Sequence, residues 1–273
     1  MTAATLRVLV VGSADGLGRA YADEFLRGGA RLLYAGAPDP KGIAQIEGSG
    51  GSAVSTVHIP TWEEAAGFVD ATLDALGGLD VVVNAAGTTR DRTLVRMGED
   101  DWNTAINSSL RTAAAVIHRA AEHWRATADP DRRRTIINRT STSWLYSQPG
   151  QANYVAAMAG AAALSEVAAK ELGRYGVTVY GVCGPMDEED LRALTEAGRS
   201  PGTGLQRRIQ GPEGPARAAA SLAAVDAPSG TIFLAREESI GVIGQLRVER
   251  TEPVGEGPSG MAEGIRRLAA QVH

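Results

Sequence analysis

Ser141 and Tyr154 are the residues whose types and spacing point most directly to chemistry. The segment Thr135–Pro149 reads as a strand followed by a polar, turn-rich loop that holds Ser141 and Ser143, and Tyr154 begins a long alanine-rich helix just beyond it. A serine at a strand end beside a tyrosine at a helix start can share a proton with a carbonyl oxygen. The pair therefore predicts acid–base chemistry on an oxygen of the substrate.

The elements that must position this pair are apolar strand-like runs that alternate with helical patterns. This alternation predicts parallel βαβ units with right-handed crossovers. The runs are apolar at both parities, as in Val81-Val82-Val83, which is typical of a sheet covered by helices on both faces. We expect a doubly wound, Rossmann-type parallel α/β sheet of about seven strands. The runs are Leu6–Val11, Arg31–Ala35, Ala53–His58, Leu79–Asn84, Thr135–Arg139, Val177–Val182 and Thr231–Leu234.

The length of 273 residues fits one large α/β domain. We assign residues 1–252 to this domain and residues 253–273 to a C-terminal tail, because that segment opens with Pro, Gly and Ser. A short amphipathic stretch, Met261–Val272, predicts a helix in the tail that is either loosely attached or docked on a neighbouring subunit.

Composition and charge exclude several classes of partner. The formal charge is −5, with 32 acidic against 27 basic residues spread along the chain, so we expect no nucleic-acid binding. Cys183 is the only cysteine, which excludes an internal disulfide and, with no secretory pattern at the N-terminus, predicts a cytoplasmic protein. No apolar run approaches the roughly 20 residues that cross a bilayer, so no membrane span is expected.

A glycine-rich turn follows the first strand. Strand Leu6–Val11 leads into Gly12-Ser13-Ala14-Asp15-Gly16-Leu17-Gly18, and a helix begins near Arg19. Glycines there allow a tight turn and close packing of helix on strand, and the helix N-terminus presents free N–H groups to an anion. The turn predicts a dinucleotide loop that includes Gly12, Ser13, Gly16, Leu17 and Gly18; a plain tight turn is the alternative.

With these motifs the chain resembles the short-chain dehydrogenases over nearly its whole length. The glycine turn, Asn84-Ala85-Ala86-Gly87 after the fourth strand, Asn107, and Ser141 thirteen residues before Tyr154 carry the resemblance. It implies an NAD(P) site to which Asn84, Ala85 and Gly87 also contribute. Within the family the chain looks most similar to 3-oxoacyl-thioester reductases and to (3R)-hydroxyacyl-CoA dehydrogenase domains of multifunctional enzymes. The subfamily resemblance rests on the runs 16–21, 90–97, 149–154 and 243–251.

The resemblance implies roles for four positions. Tyr154 takes the place of the general acid/base, Ser141 that of the residue holding the substrate oxygen, and Asn107 that of the asparagine positioning a water relay. The lysine four residues after the tyrosine, which lowers the tyrosine pKa in the family, is replaced by Met158. Lys170 lies too far along the same helix to substitute, about 18 Å at 1.5 Å per residue.

Arg139 is a candidate for the missing charge. A phenol with an ordinary pKa near 10 is a poor base at neutral pH, and a nearby cation favours its phenolate. Arg139 shares strand parity with Ser141, so both side chains are expected on one face. We hypothesise that Arg139 restores a positive field near Tyr154; a surface or interface role is the alternative.

Several determinants of nicotinamide cofactors are also missing. Gly36 stands where related enzymes have the ribose-binding aspartate, with Asp39 a substitute only by a different loop path, and Ile59 aligns near the adenine-contacting aspartate. The family's Pro-Gly pair is inverted as Gly184-Pro185. Together these departures predict weakened or lost nicotinamide use.

Other candidate residues have plainer interpretations. His118 and His123 have no carboxylate at metal-ligand spacing, so we assign no metal site. Trp144 and Tyr146 line a substrate pocket or pack in the core, and the run 132–134 is either a solvated loop or a clamp for a thioester's phosphates. The small residues of 156–163, on the helix that forms the subunit interface in the resembling family, predict a homodimer, a homotetramer or a heteromer with a related reductase.

Two hypotheses of different class follow. The first is an atypical short-chain reductase-type enzyme that acts on an acyl-thioester or polyketide-like carbonyl or hydroxyl through Tyr154 and Ser141, with NAD(P) or, in a diverged form, by cofactor-independent dehydration, isomerisation or cyclisation. The second is a non-catalytic or subsidiary subunit that pairs with an active reductase.

Overall fold

An eight-stranded sheet runs through the part of the chain that the structure describes, in the order β3-β2-β1-β4-β5-β6-β7-β8. The structure, a computed structural model, describes residues 5–13, 16–37, 39–56, 58–127, 132–145, 149–184 and 212–244. The strands are β1 (Arg7–Ser13), β2 (Arg31–Ala37), β3 (Ser52–Ser55), β4 (Val81–Asn84), β5 (Arg134–Ser141), β6 (Val177–Gly184), β7 (Ile232–Ala235) and β8 (Ile240–Ile243).

Helices connect the parallel strands as the alternation predicts. They are α1 (Gly16–Arg27), α2 (Pro40–Gly48), α3 (Trp62–Leu76), α4 (Glu99–Ile106), α5 (Thr112–Ala126), α6 (Ala152–Leu172) and α7 (Glu213–Leu222). The predicted doubly wound sheet is confirmed, with one difference at its edge. The last strand, β8, pairs antiparallel with β7. Its pattern was missed because it is four residues long, contains Gly241 and leaves Ile240 and Val242 exposed.

Two apolar layers cover the two faces of the sheet. Val8 and Val10 pack on the face that α1 and α7 cover, whereas Leu9 and Val11 pack on the face covered by α3, α5 and α6. All four of these valine and leucine side chains are buried. Burial on both faces explains why the strands are apolar at both parities.

The strand order reverses between β1 and β4, since the chain leaves β1 toward β2 and returns to β4 on the other side. Such a reversal opens a crevice at the carboxyl ends of the strands. Gly36 at the end of β2 pairs with Gly12 of β1 so closely that a Cβ atom on Gly36 would lie 1.8 Å from the Gly12 carbonyl oxygen. Glycine is therefore required at this point, and an acidic residue cannot replace it without moving the strand.

The opposite, amino end of the sheet holds a structural cluster of charges. Asp80 accepts hydrogen bonds from Arg7 and Arg132, with Nη2 of Arg7 at 2.9 Å, and its side chain is only 2% exposed. Arg133 pairs with Asp226 at 2.7 Å, and the buried Arg134 donates to the carbonyl oxygen of Trp124. The arginine run 132–134 thus serves folding at the end of β5 that lies away from Ser141.

The chain divides into two compact units, Met1–Ile243 and Gly244–His273. Apart from Gly244, the second unit lies outside the described residues, and the predicted tail helix Met261–Val272 lies there too. Across the described ranges, no helix combines the length and the apolar character needed to span a membrane.

Candidate active site

Arg139 and Tyr154 meet at the carboxyl end of β5. Nη2 of Arg139 donates a hydrogen bond to Oη of Tyr154 at 3.1 Å, and Tyr154, in the first turn of α6, is 6% exposed. Arg139 reaches the phenol because it shares parity with Ser141, two residues further along the same strand. The expected proximity of Arg139 to Tyr154 is confirmed.

Two backbone carbonyls hold the other arm of the guanidinium. Nη1 of Arg139 lies 3.4 Å from the carbonyl oxygen of Ala85 and 3.3 Å from that of Gly87, both in the connection after β4. These contacts are at the long end of the hydrogen-bond range, so each is weak by itself. Together with the Tyr154 contact they place a permanent positive charge between β4 and the start of α6.

Met158 points toward the same place as Arg139. A Cβ atom on Gly87 would lie 3.7 Å from Cε of Met158 and 3.3 Å from Nη1 of Arg139, so both side chains end against Gly87. Met158 is fully buried and brings no charge. Arg139 of β5 therefore places a cation in the region toward which Met158 of α6 points.

Ser141 is arranged as a hydrogen-bond donor. Its Oγ accepts from the backbone N–H of Ser143 at 3.2 Å and from the Ser143 hydroxyl at 3.0 Å. Because a hydroxyl oxygen has two lone pairs, both are engaged, and its own proton is left for an external acceptor. Ser143 is a positioning residue that sequence reasoning missed, although a serine two residues after another is a known signal for such a local turn.

Asn107 lies on the helical segment that packs beside α6. It opens a π-helical turn, Asn107–Arg111, that joins α4 to α5, and such turns often mark functional sites. Its backbone carbonyl accepts a hydrogen bond from Oγ1 of Thr112 at 2.8 Å. Its neighbours Ile106 and Leu110 pack against the buried cluster of Tyr154, Ala157 and Met158. Trp144 packs against this cluster as well, whereas Tyr146 lies outside the described residues.

Asn153 fixes the start of the tyrosine helix. The side chain is fully buried; its Nδ2 donates to the carbonyl oxygens of Arg90 at 3.1 Å and Asp101 at 2.8 Å, and its Oδ1 accepts from the backbone N–H of Tyr154 at 2.8 Å. One amide thus ties α6 to α4 and to the connection after β4. In the sequence, Asn153 is part of the run 149–154 that carries the family resemblance, but its role at the helix start was not predicted.

An open cavity of about 350 Å³ lies at the carboxyl ends of β1, β2 and β4. Three of the residues predicted for the cofactor, Gly12, Ser13 and Gly87, line it. Gly18 instead packs against the turn, since a Cβ atom there would lie 2.4 Å from the Ser13 carbonyl oxygen. Asn84 donates to Oδ1 of Asn138 at 2.8 Å within the sheet. Gly16, Leu17 and Ala85 are also not among the lining residues; Ala85 contributes the carbonyl that holds Arg139.

The described part of the cavity wall is mostly apolar or uncharged. Among the described lining residues His58 alone is ionisable, and its Nε2 lies 3.0 Å from Glu64. A backbone hydrogen bond from Thr61, followed by the contact with His58, lowers the pKa of Glu64. Ile59 lies in the wall where the resemblance has an aspartate. Asp39 is the N-cap of α2 and accepts from the N–H of Gly42 at 2.9 Å, so its carboxylate caps a helix.

The remaining predicted features are accounted for as follows. Within the described residues there is no group of His, Cys, Asp and Glu that could hold a metal ion. The rings of His118 and Trp62 contact each other at a tilt of 49° with centroids 5.7 Å apart, and burial lowers the pKa of His123. Gly160 packs inside the chain, because a Cβ atom there would lie 2.7 Å from Cδ2 of Leu110. Gly184 ends β6, and Pro185 with the acidic run after it lies outside the described residues.

A mostly parallel sheet with this strand order, a glycine turn after β1 and a cavity at the order reversal define a Rossmann-type fold. A family model for short chain dehydrogenases matches residues 6–198. The chain belongs to the short chain dehydrogenase family, whose members generally use NAD(P).

Individual relatives agree with this assignment. The chain is 37% identical over 187 residues to the hydroxyacyl-CoA dehydrogenase ChsB1 of Mycobacterium tuberculosis, a match covering 64% of this chain and 59% of the relative. It is 35% identical over 188 residues to a 3-oxoacyl-[acyl-carrier-protein] reductase of Synechocystis, covering 67% of this chain and 74% of the relative. The match thus spans less than two thirds of the mycobacterial relative. A crystal structure of a short chain dehydrogenase from Mycobacterium avium superposes with a TM-score of 0.78 at 26% identity, covering 97% of this chain and 95% of that one.

Proposed function

We propose that this chain transfers a proton to or from an oxygen of an acyl-thioester or polyketide-like substrate. Tyr154 is the proton donor or acceptor, and Ser141 donates a hydrogen bond to the same oxygen. The observation that carries the proposal is the 3.1 Å contact between Nη2 of Arg139 and Oη of Tyr154. The Arg139 guanidinium places a fixed positive charge and a hydrogen-bond donor at the phenol oxygen, in the region where the resembling enzymes have the helix lysine.

The substrate class rests on the relatives and on exposed apolar side chains of the connections after β4 and β5. Two relatives are named for hydroxyacyl-CoA and 3-oxoacyl-[acyl-carrier-protein] substrates. Apolar side chains that are exposed on the connections after β4 and β5, Leu94, Val95 and Leu145, suit an acyl chain. The connection after β4 is joined to the start of α6 by a hydrogen bond from the N–H of Arg92 to the Gly150 carbonyl oxygen at 2.8 Å.

Nicotinamide use is weakened or lost in this proposal. The adenosine end of the crevice fits a nucleotide, because an open cavity lies there and Gly12 and Gly36 line it without side chains. The nicotinamide end does not fit, because the Arg139 guanidinium bonds to the carbonyls of Ala85 and Gly87 and no cation stands at Met158. The step assigned to Tyr154 and Ser141 is therefore proton transfer alone, as in dehydration, isomerisation or cyclisation.

Turnover of a panel of thioesters tests the proposal. We would assay 3-oxoacyl-CoA, (3R)-hydroxyacyl-CoA and enoyl-CoA substrates, each with and without NADH or NADPH, on the wild type and on Tyr154→Phe. Loss of the phenol proton should lower turnover by about 10²–10⁴-fold. Tyr175→Phe, in the short 3-10 turn that follows α6, is the matched control and should keep full activity. Equal turnover by Tyr154→Phe and the wild type would refute the assignment of Tyr154.

A second candidate function is that of a subsidiary subunit paired with an active reductase. It is favoured by the outer face of α6, where Ala163 is exposed and Val167 is 50% exposed. Small and apolar side chains on one helix face suit packing against another helix. Under this candidate, Val167→Glu abolishes co-purification with a reductase, whereas Tyr154→Phe leaves assembly and the partner's activity unchanged.

A further inference from the structure

The cavity and the Arg139–Tyr154 contact adjoin each other at Gly87. Gly87 lines the cavity, and the carbonyl oxygen of the same residue accepts a hydrogen bond from Arg139. Neither Arg139, Tyr154 nor Ser141 is among the residues that line the cavity. The guanidinium therefore lies at the edge of the cavity, against the connection after β4.

A dinucleotide would have to extend past this edge of the cavity. In sheets with this strand order, the ligand spans the point where the order reverses, with one nucleotide on each side. The first nucleotide has an open cavity of about 350 Å³, which is at the small end of the roughly 300–1,000 Å³ common for ligand sites. The second would enter the space where Arg139 makes hydrogen bonds to Ala85, Gly87 and Tyr154.

The charge of Arg139 adds to its bulk. An oxidised nicotinamide ring is itself a cation, and like charges a few ångströms apart in a partly buried site repel strongly. A reduced ring would have to displace the guanidinium from two carbonyls and the phenol, each of which would lose a hydrogen bond. No arginine or lysine is among the described residues that line the cavity, so nothing comparable to Arg139 opposes the first nucleotide there.

We infer that Arg139 is a specificity-determining residue that keeps the nicotinamide half of a dinucleotide out of the crevice, so that only the adenine nucleotide half contributes to binding. ADP and NADH then bind to the wild-type chain with similar affinity, because the nicotinamide half adds no contact. The inference concerns binding and holds whether or not Tyr154 performs the proposed chemistry.

Calorimetric titration of the full chain with ADP and with NADH tests this inference. For the wild type we expect dissociation constants for ADP and NADH that agree within about 3-fold, a difference below 1 kcal/mol. Arg139→Ile removes charge and bulk. We expect this variant to lower the dissociation constant of NADH at least about 10-fold and to leave that of ADP unchanged. Arg119→Ile, which removes a surface arginine paired with Asp70, is the matched control and should change neither ligand.

Three results would overturn the inference. Wild-type binding of NADH more than about 10-fold tighter than ADP would show that nicotinamide is accommodated. If Arg139→Ile kept the wild-type ratio of the ADP and NADH dissociation constants, with a thermal unfolding midpoint like that of the wild type, Arg139 would not exclude the nicotinamide half. Absence of ADP binding at millimolar concentration would show that the cavity does not take adenine nucleotides. Failure of the proposed function is seen separately, since Tyr154→Phe should bind ADP as the wild type does.

Discussion

Arg139 and Tyr154, fifteen residues apart, join the end of β5 to the first turn of α6 through a 3.1 Å hydrogen bond from guanidinium to phenol. The contact gives the phenol a cation that comes from a strand, while the helix position four residues on carries the uncharged Met158. Since Arg139 also bonds to the connection after β4, its position is fixed from both sides of the crevice. The predictions below test what this arrangement does and what holds it.

The charge of Arg139, apart from its shape, should support turnover. Arg139→Leu removes the cation and should lower turnover of any thioester substrate by about 10–100-fold, whereas Arg139→Lys should retain part of the activity. Steady-state kinetics of the three proteins measure this difference. Arg119→Leu is the control, because it removes a surface arginine without touching the crevice. Equal activity in Arg139→Leu and the wild type would mean that the cation has no part in the reaction.

Restoring the family's acidic residue at position 36 should fail for steric reasons. A Cβ atom there would lie 1.8 Å from the Gly12 carbonyl oxygen, so Gly36→Asp should destabilise the chain by more than about 2 kcal/mol in urea unfolding. Ala37→Asp places an acid on the cavity wall at an exposed position and should leave stability nearly unchanged.

Ala37→Asp should also change nucleotide binding. The new carboxylate should weaken the binding of adenosine nucleotides that carry a phosphate on the 2′ ribose oxygen, relative to those with a free hydroxyl, because like charges repel. Calorimetry of the two nucleotides on Ala37→Asp and the wild type measures the ratio. A stable Gly36→Asp protein, or an unchanged ratio in Ala37→Asp, would contradict this account of the β2 end.

Asp80 should contribute pH-dependent stability at the amino end of the sheet. Burial raises its pKa, but hydrogen bonds from Arg7 and Arg132 outweigh that effect and lower the pKa from 3.8 to about 2. The stabilisation is therefore fully present above pH 3.8 and is lost as the pH falls through about 2. Asp80→Asn should lower the free energy of unfolding by about 2 kcal/mol at pH 7. Its difference from the wild type should narrow between about pH 4 and 2.

Urea unfolding at several pH values measures the Asp80 effect. Asp70→Asn is the matched control, because Asp70 pairs with Arg119 at the surface and is 50% exposed. An exposed pair of this kind contributes at most about 1 kcal/mol. A gap between Asp80→Asn and the wild type that stays constant down to pH 2 would argue against the charge as its source.

Asn153 should hold the tyrosine helix in place. Asn153→Asp replaces a two-proton donor with an acceptor that faces the carbonyl oxygens of Arg90 and Asp101, so we expect a loss of about 3 kcal/mol or more. Asn153→Ala leaves the same carbonyls without partners and should cost less, about 1–3 kcal/mol. Thermal and urea unfolding rank the two variants. The reverse order would contradict the hydrogen-bond assignment.

The sequence predicted the parallel sheet and the glycine turn because periodicity and turn chemistry are local signals. Strand parity also supported the hypothesis that Arg139 lies near Tyr154, because parity fixes which side chains share a face. The roles of Ser143 and Asn153 were missed, because they depend on hydrogen bonds whose partners only the folded chain brings within reach. The sequence left open whether Asp39 could replace the ribose-binding aspartate. In the structure its carboxylate caps α2. Strand β8 was missed because a short, exposed edge strand has no apolar pattern of its own.

The most direct test of the central claim is a double-mutant cycle on turnover with wild type, Arg139→Leu, Tyr154→Phe and the double variant. If Arg139 acts through the Tyr154 phenol, removing the guanidinium from a protein that already lacks the phenol costs nothing more, so the double variant should be as active as Tyr154→Phe. If the two losses multiply in the double variant, Arg139 acts independently of Tyr154, and the hydrogen bond between them is not the source of its effect.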